Sequence, residues 1–431
     1  MKVHVSLIKT TDVTYPIVVS FDFELEETDT TEAKSTNAGR NDIRLGSTSA
    51  NFYFPLDFSL PHPDLCALAA LKIISPYVGH SFTMDRPVSP AMAAAIKKHY
   101  PNIQNIAVEK NLQSRNAPVD EFAVVSFSGG ADSVAAAAVL DKGTPLILSA
   151  RKVHPGIGEF EKWYKTEANL ETLKRMPSRF PKVPVLTDFE FLSTNGNYCI
   201  YPDAYAFTIP CMLLADHYKT THIVTGDIWV AFNGDETLFT RSLMPRQNSL
   251  FSAVGLQLEP ILNCVGELGS IIIADHYNLL DNATTCQYGE FQKPCMKCIK
   301  CFRKSLYGWA LLGVPWTDAD VQRFNSSPAI KKFAQLNDRK GFSLGPSYKL
   351  AFERVENIFH GETALIRERM LSVPVNPDFT LGVYSPAYGE IRPKFAQKSF
   401  ARVKKLMDPM NQQQLADFSM LDYRNYPLYQ S

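Results

Sequence analysis

The sequence predicts an α/β protein organised around a parallel sheet, and two observations carry that expectation. Through the middle of the chain, apolar runs of strand length alternate with stretches of helical spacing, the pattern of parallel strands joined by crossover helices. One such run, Phe122 to Phe127, leads without a linker into Ser128-Gly129-Gly130, and an alanine-rich helix follows at once. A glycine turn set between a buried strand and a helix suits a loop at the edge of such a sheet.

The elements read in order as follows. Val3 to Leu7, Ile17 to Leu25 and Asn51 to Phe58 are strand-like, and Pro63 to Ile74 and the stretch opened by Ser89-Pro90 are helical. Glu26 to Ser47, rich in Thr, Glu, Asp, Asn and Gly, reads as a loop. In the middle come strand Phe122 to Phe127, helix Ser133 to Leu140, strand Pro145 to Ser149, helix Phe160 to Arg175 and strand Val183 to Leu186. Helix Phe207 to His217 and strand His222 to Thr225 follow. Beyond Trp309 the chain reads as helical pieces, broken by a long loop from Val373 to Arg392. The organisation expected is an N-terminal α+β domain over 1–118, a central α/β domain over 119–315 and a mostly helical extension over 316–431.

Composition narrows the class. The 431 residues are 45% hydrophobic, enough for more than one core, and 44 basic residues balance 44 acidic ones. A neutral balance points away from a nucleic-acid coat or an acidic-lipid binder, so nucleic acid is not indicated as a partner. No apolar run reaches the ~18 residues of a membrane span, and the N-terminus lacks a signal-peptide pattern, so a cytoplasmic location is expected.

Phe127-Ser128-Gly129-Gly130-Ala131-Asp132-Ser133 is the most informative stretch. The glycines let backbone N–H groups approach a phosphate, and the helix start behind them favours negative charge. Ser128 and Ser133 offer hydroxyls to the same oxygens. Asp132 is not a phosphate ligand; it suits a Mg2+ ion or a helix cap. The Gly-Lys-Ser/Thr ending of a Walker loop is absent.

The second cluster is Cys286, Cys295, Cys298 and Cys301, four thiols within sixteen residues. Four thiolates match a closed, structural Zn2+ site. An iron–sulfur cluster and a set of buried thiols are the other readings. Lys293, Lys297, Lys300, Arg303 and Lys304 lie beside the cysteines and can offset their charge. Cys66, Cys199, Cys211 and Cys264 are scattered and read as small buried side chains.

Ser-Gly-Gly-x-Asp-Ser resembles the signature of the PP-loop ATP pyrophosphatases. The spacing Cys-x8-Cys-x2-Cys-x2-Cys, 153 residues beyond Ser133, resembles the zinc site of the 7-cyano-7-deazaguanine synthase (QueC-like) family. Ile223-Val-Thr-Gly226, Leu258-Glu259-Pro260 and Asn282-Ala-Thr-Thr-Cys286 resemble further landmarks of that family, and the likeness covers about Glu121 to Trp309. Three segments depart from it: Tyr201-Pro202-Asp203-Ala204, Asp227 to Asp235, and Asn263-Cys-Val-Gly266. The nucleotide end therefore resembles the family more closely than the substrate end.

The resemblance implies a PP-loop core of the adenine nucleotide alpha hydrolase-like kind, ATP with Mg2+ at the loop, and Zn2+ at the cysteines. It implies that ATP is split between its α and β phosphates and a 7-deazaguanine carboxylate is activated as an adenylate, with Asp132 and Ser133 in the catalytic loop. The extra domains and altered substrate end resemble the QueC-like proteins of bacterial antiviral defence, such as the Qat system and type IV CBASS, where a partner protein's N-terminal amine is the acceptor. A true nitrile-forming synthase and a non-catalytic nucleotide- and zinc-binding subunit are the alternatives. Lys152 and His154 fall where the family places residues near the nucleotide. Asp203, Asp227 and Asp235 fall near strand ends, where α/β sheets bind ligands. Trp229 and Phe232 read either as a stacking surface for a purine-like ring or as core.

Overall fold

The computed structural model describes residues 1–34, 42–152, 166–195, 198–199, 201–203, 205–229, 248–284, 286, 288–335, 344–388 and 393–420. Strands β1 (Lys2–Lys9), β2 (Ile17–Glu24), β3 (Glu32–Lys34), β4 (Asp42–Leu45) and β5 (Ser49–Phe54) come first. Helix α1 (Pro63–Ile74), strand β6 (Ser81–Met84), helix α2 (Pro90–His99) and strand β7 (Asn105–Ile106) follow. The central stretch runs β8 (Ala123–Phe127), α3 (Ala131–Ala138), β9 (Leu146–Arg151), α4 (Thr166–Arg175), β10 (Lys182–Thr187), β11 (Ser193–Asn195) and β12 (Tyr198–Cys199). It continues through α5 (Ile209–Leu213), β13 (His222–Ile228), α6 (Ser249–Ala253) and β14 (Gln257–Leu262). The remainder is helical: α7 (Glu267–His276), α8 (Ile299–Leu312), α9 (Asp318–Asn325), α10 (Pro328–Gln335), α11 (Gly345–Arg354), α12 (Gly361–Leu371), α13 (Lys394–Val403) and α14 (Gln412–Ser419).

The protein is a mixed α/β molecule with a large, mostly parallel sheet of ten strands in the order β14-β13-β8-β9-β10-β5-β2-β1-β6-β7. Its centre is parallel: His222 to Val224 of β13 pair with Ala123 to Val125 of β8, β8 pairs with β9, and β9 with β10. In β8 four consecutive residues, Val124 to Phe127, are buried, as in parallel strands covered on both faces, whereas β10 alternates buried and half-buried residues. Counted along the chain, β10-β9-β8-β13-β14 is a doubly wound order that reverses between β8 and β13. Ligands in such sheets bind beyond the carboxyl ends of the strands at the reversal. Beyond β10 the sheet turns antiparallel, Leu186 and Thr187 pairing with Tyr53 and Phe52 of β5, so the N-terminal strands extend the central sheet.

Local sequence explains most elements. In β5 the residues Ala50, Phe52 and Phe54 alternate inward, the period-2 pattern of a strand with one buried face. Pro63 sits at the start of α1, and the Ser89 hydroxyl accepts from the Met92 N–H at 3.2 Å to cap α2. The stretch read as a loop holds β3 and β4, which join β11 and β12 in a small four-stranded sheet. These strands are short and polar, with only Ile43 buried, and so carry little periodic signal. The helix expected over Phe207 to His217 is a 3-10 turn at Ala206–Thr208 followed by the five residues of α5. Pro210 sits in the first turn, where it is tolerated. Among the described residues, no helix is long and apolar enough to cross a membrane.

Contacts divide the chain into two compact units. The first comprises Met1–Ser128, Lys142–Val224 and Pro245–Glu259; the second comprises Gly129–Asp141, Thr225–Met244 and Pro260–Ser431. The core of the first gathers Phe21, Phe52, Phe54 and Phe189 with the fully buried face of α1. That of the second is aromatic, with Phe302 edge-on to Trp316 and Phe324 and close to Tyr348.

Inside the first unit, Lys72 donates to Asp203 at 2.7 Å with both side chains at most 5% exposed, and the Tyr100 hydroxyl donates to the same carboxylate at 3.4 Å. Burial opposes the ammonium charge, yet Asp203 holds the Lys72 value above that of an ordinary lysine. Lys72→Ala strands a buried carboxylate, so it should cost about 3–5 kcal/mol in chemical denaturation. Lys72→Met combined with Asp203→Leu, which removes both charges, should cost much less.

Candidate phosphate loop and metal centre

The chain leaves the first unit between Ser128 and Gly129. Phe127 ends β8 and is buried, and Ser128 is exposed; both belong to the first unit. From Gly129 onward the loop belongs to the second. Gly129 has φ +76°, a left-handed conformation that favours glycine. Gly130 is the N-cap of α3 and, being glycine, brings no capping side chain of its own. This helix of eight residues presents its positive end beside the glycine turn. Ala131 is buried, while Gly130 and Asp132 are half-buried. The Ser133 hydroxyl donates to the Gly130 carbonyl at 3.0 Å, bracing the turn from within.

Three neighbours in the same unit hold this turn. Gly226, near the end of β13, lies so close that a Cβ there would sit 2.9 Å from the Asp132 carbonyl carbon and the Ser133 nitrogen. That close approach accounts for Gly in Thr225-Gly226. The Ser270 hydroxyl of α7 hydrogen-bonds the Asp132 carboxylate. The Thr284 N–H donates to the Gly129 carbonyl at 2.8 Å. Sequence reasoning missed Ser270, which no motif singles out; Thr284 lies in the Asn282-Ala-Thr-Thr-Cys286 stretch, but its hold on the turn was not foreseen.

Asp227 is half-buried and accepts from the Thr225 hydroxyl at 2.7 Å. Burial pushes its carboxyl above the ordinary aspartate value, Asp132 nearby adds to the rise, and Thr225 opposes it. A raised carboxylate favours folding in its protonated form and loses that contribution as pH rises through its folded value. Asp227→Asn should therefore melt above the wild type at pH 7 without Mg2+. That gain should shrink as the pH falls toward ~4, the range of an unperturbed aspartate; thermal unfolding at both pH values checks it.

The other expected substrate residues lie elsewhere. Asp203 is buried in the first unit and paired with Lys72, so it belongs to that unit's packing. Lys152, in the same unit, is exposed and places its ammonium 3.5 Å from the centre of the Tyr53 ring. His154, Phe232 and Asp235 lie outside the described residues. Trp229 is fully buried between Phe379 and Phe418, with Gly266 under its ring; it is core, not an open stacking surface.

Cys286, Cys295, Cys298 and Cys301 converge, their sulfurs all within 4.8 Å of one another. The Cys295–Cys301 and Cys298–Cys301 separations are 3.7 and 3.5 Å. A metal held by four sulfurs at ~2.3 Å in a tetrahedron sets them ~3.8 Å apart, so the cluster has the dimensions of a zinc site. Cys286 and Cys301 are buried and the other two half-buried. Cys298 also caps α8, its sulfur accepting the Cys301 N–H at 3.4 Å, and the Cys295 N–H donates to Cys286 at 3.3 Å. Hydrogen bonds from Cys298 and Cys301 hold the Cys286 thiol well below its ordinary value. One thiolate thus forms readily, and metal binding would release the remaining protons.

Three of the basic residues beside the cysteines have carboxylate partners of their own. Arg303 and Lys304 reach Glu267 at 2.9 and 2.6 Å, and the Glu267 side chain is 3% exposed. Lys293 faces Glu290 at 3.9 Å. Nothing in the sequence around Glu267 announces its role, since its cations lie more than thirty residues later.

A family of unknown function (DUF6395) matches residues 246–422, a stretch that holds the four cysteines, Glu267, Ser270 and Thr284 but not the glycine turn. No curated protein matches the chain.

Proposed function

We propose that this chain is an ATP-dependent ligase of the PP-loop, QueC-like kind. It adenylates a 7-deazaguanine carboxylate and joins it as an amide to an amine, the N-terminus of a partner protein in antiviral defence. The observation that carries this reading is the glycine turn at Gly129–Gly130, which opens helix α3 and has the Gly226 backbone and Asp227 close beside it. This is the set of groups needed to hold a chain of phosphates and a cation.

In this mechanism the backbone N–H groups around Gly130 to Ser133 receive the β and γ phosphates of ATP. Asp132 and Asp227 suit Mg2+, a hard cation that takes oxygen ligands and offsets phosphate charge. A substrate carboxylate oxygen attacks the α phosphorus, the bond to the bridging oxygen breaks, and pyrophosphate leaves. The amine nitrogen then attacks the acyl carbon, AMP departs, and the nitrogen loses a proton to give the amide. An α-amino group with a pKa of ~7.7–8.0 supplies enough neutral nucleophile near pH 7.5. The cysteines suit Zn2+ as a closed structural site outside these steps.

The test supplies ATP, Mg2+ and 7-carboxy-7-deazaguanine, with either ammonium or a peptide bearing a free N-terminus. Carboxylate-dependent release of AMP and pyrophosphate, with an amide adduct on the peptide, is expected. Efficient nitrile formation from ammonium alone would replace the ligase with a synthase. Pyrophosphate release at background under every condition would leave a nucleotide- and zinc-binding subunit without chemistry.

A further inference from the structure

Two routes of covalent bonds, hydrogen bonds and ion pairs run from the cysteine cluster to the glycine turn, both within the second unit. The short route is backbone: Thr284, two residues ahead of Cys286, donates to the Gly129 carbonyl at 2.8 Å. The longer route passes through side chains. Cys301 lies in the first turn of α8, and Arg303 and Lys304 on that helix grip Glu267 at 2.9 and 2.6 Å. Glu267 is the first residue of α7, and its carbonyl accepts from Ser270 at 2.9 Å. The single Ser270 proton is shared with Asp132 of the turn. Of these links, the grip on Glu267 is the one buried ion cluster, and it joins the helix that carries a sulfur to the helix that holds the turn.

We propose that metal occupancy of the four cysteines and phosphate binding at the glycine turn are coupled, with Glu267 as the positioning residue that transmits the coupling. The proposal rests on the phosphate-binding reading of the turn and adds its regulation. The cysteine sulfurs come from two separated stretches, Cys286 and Cys295 to Cys301. A bound ion fixes those stretches relative to each other. Fixing them sets the Thr284 N–H on one side of the turn and α8, with its hold on α7, on the other. A ligand that prefers the set turn must then favour the metal-bound form, and by linkage the metal must favour the phosphate-bound form by the same factor. Because Glu267 touches neither ligand, its contribution is transmitted through the contact it makes between α7 and α8.

The experiment uses the full chain and α,β-methylene-ATP with excess Mg2+ as the probe. Zinc-loaded protein is expected to bind the probe ~5- to 150-fold more tightly than chelator-stripped protein, the usual span of such couplings. Reciprocally, saturating probe should slow zinc transfer to a chromogenic chelator in the wild type. Circular dichroism establishes whether the stripped protein stays folded. If it unfolds, zinc-loaded Glu267→Gln decides the matter. It should retain one zinc, bind the probe at least ~5-fold more weakly, and show zinc release that no longer responds to the probe. Asp141→Asn, three residues beyond the end of α3, should leave both readouts unchanged. Equal probe binding by folded zinc-loaded and stripped protein, or wild-type behaviour of Glu267→Gln, would overturn the coupling. Failure of zinc-loaded wild type to bind the probe would instead overturn the phosphate-loop reading.

Discussion

On the proposed zinc reading, Cys301→Ser is expected to empty the four-cysteine site and unfold much of the second unit. Cys301 is 3% exposed, has two other sulfurs within 3.7 Å, and packs in the same cluster as Phe302 and Leu306. Structural zinc contributes about 10–16 kcal/mol of apparent binding energy at neutral pH, whereas a whole domain is stable by only about 5–15 kcal/mol. Losing one thiolate of four removes a large part of the first figure and leaves three sulfurs crowded without an ion. Zinc content should fall from one per chain to near zero. Hydrogen exchange should speed up across α8 to α12, with the strands of the first unit changing little. Cys264→Ala, a buried thiol outside the cluster, should keep its zinc.

The second large effect is expected at Glu267. Burial alone would push its carboxyl up, but Lys304 and Arg303 hold it below the ordinary glutamate value. Glu267→Ala leaves two half-buried cations without their shared carboxylate, at a cost of up to about 3–5 kcal/mol. Glu267→Gln keeps the shape and part of the hydrogen bonding and should cost less. The sign of the pH dependence follows from the depressed value. The stabilisation is present above the unfolded pKa of about 4.3 and is lost as pH falls through the lower folded value. Denaturation curves should therefore separate wild type from Glu267→Ala most widely at neutral pH and draw them together in acid.

What the sequence made legible is local. The strand, glycine turn and helix at Phe122 to Leu140 stand in one continuous stretch, and so do the cysteines, because a tight turn can supply most of a metal's ligands. The features that escaped are long-range. The pairing of β10 with β5 joins Leu186 to Tyr53, and neither strand carries a mark of its partner. The grip of Arg303 and Lys304 on Glu267, and of Lys72 on Asp203, appears only once the chain has folded. Asp203 illustrates the consequence: near a strand end in sequence, it looks free for a ligand, and burial has already given it a lysine. Trp229 illustrates the converse, an aromatic that looks fit for stacking and is enclosed by Phe379 and Phe418 from the far end of the chain.

Calorimetric titration of ATP with Mg2+ into the zinc-loaded chain, repeated with Gly129→Val, tests the central claim most directly. The account predicts saturable binding at one site, displaced by pyrophosphate and abolished by the β-branched residue at a left-handed position. Absence of binding to the wild type, or binding that Gly129→Val leaves intact while the protein remains folded, would contradict it.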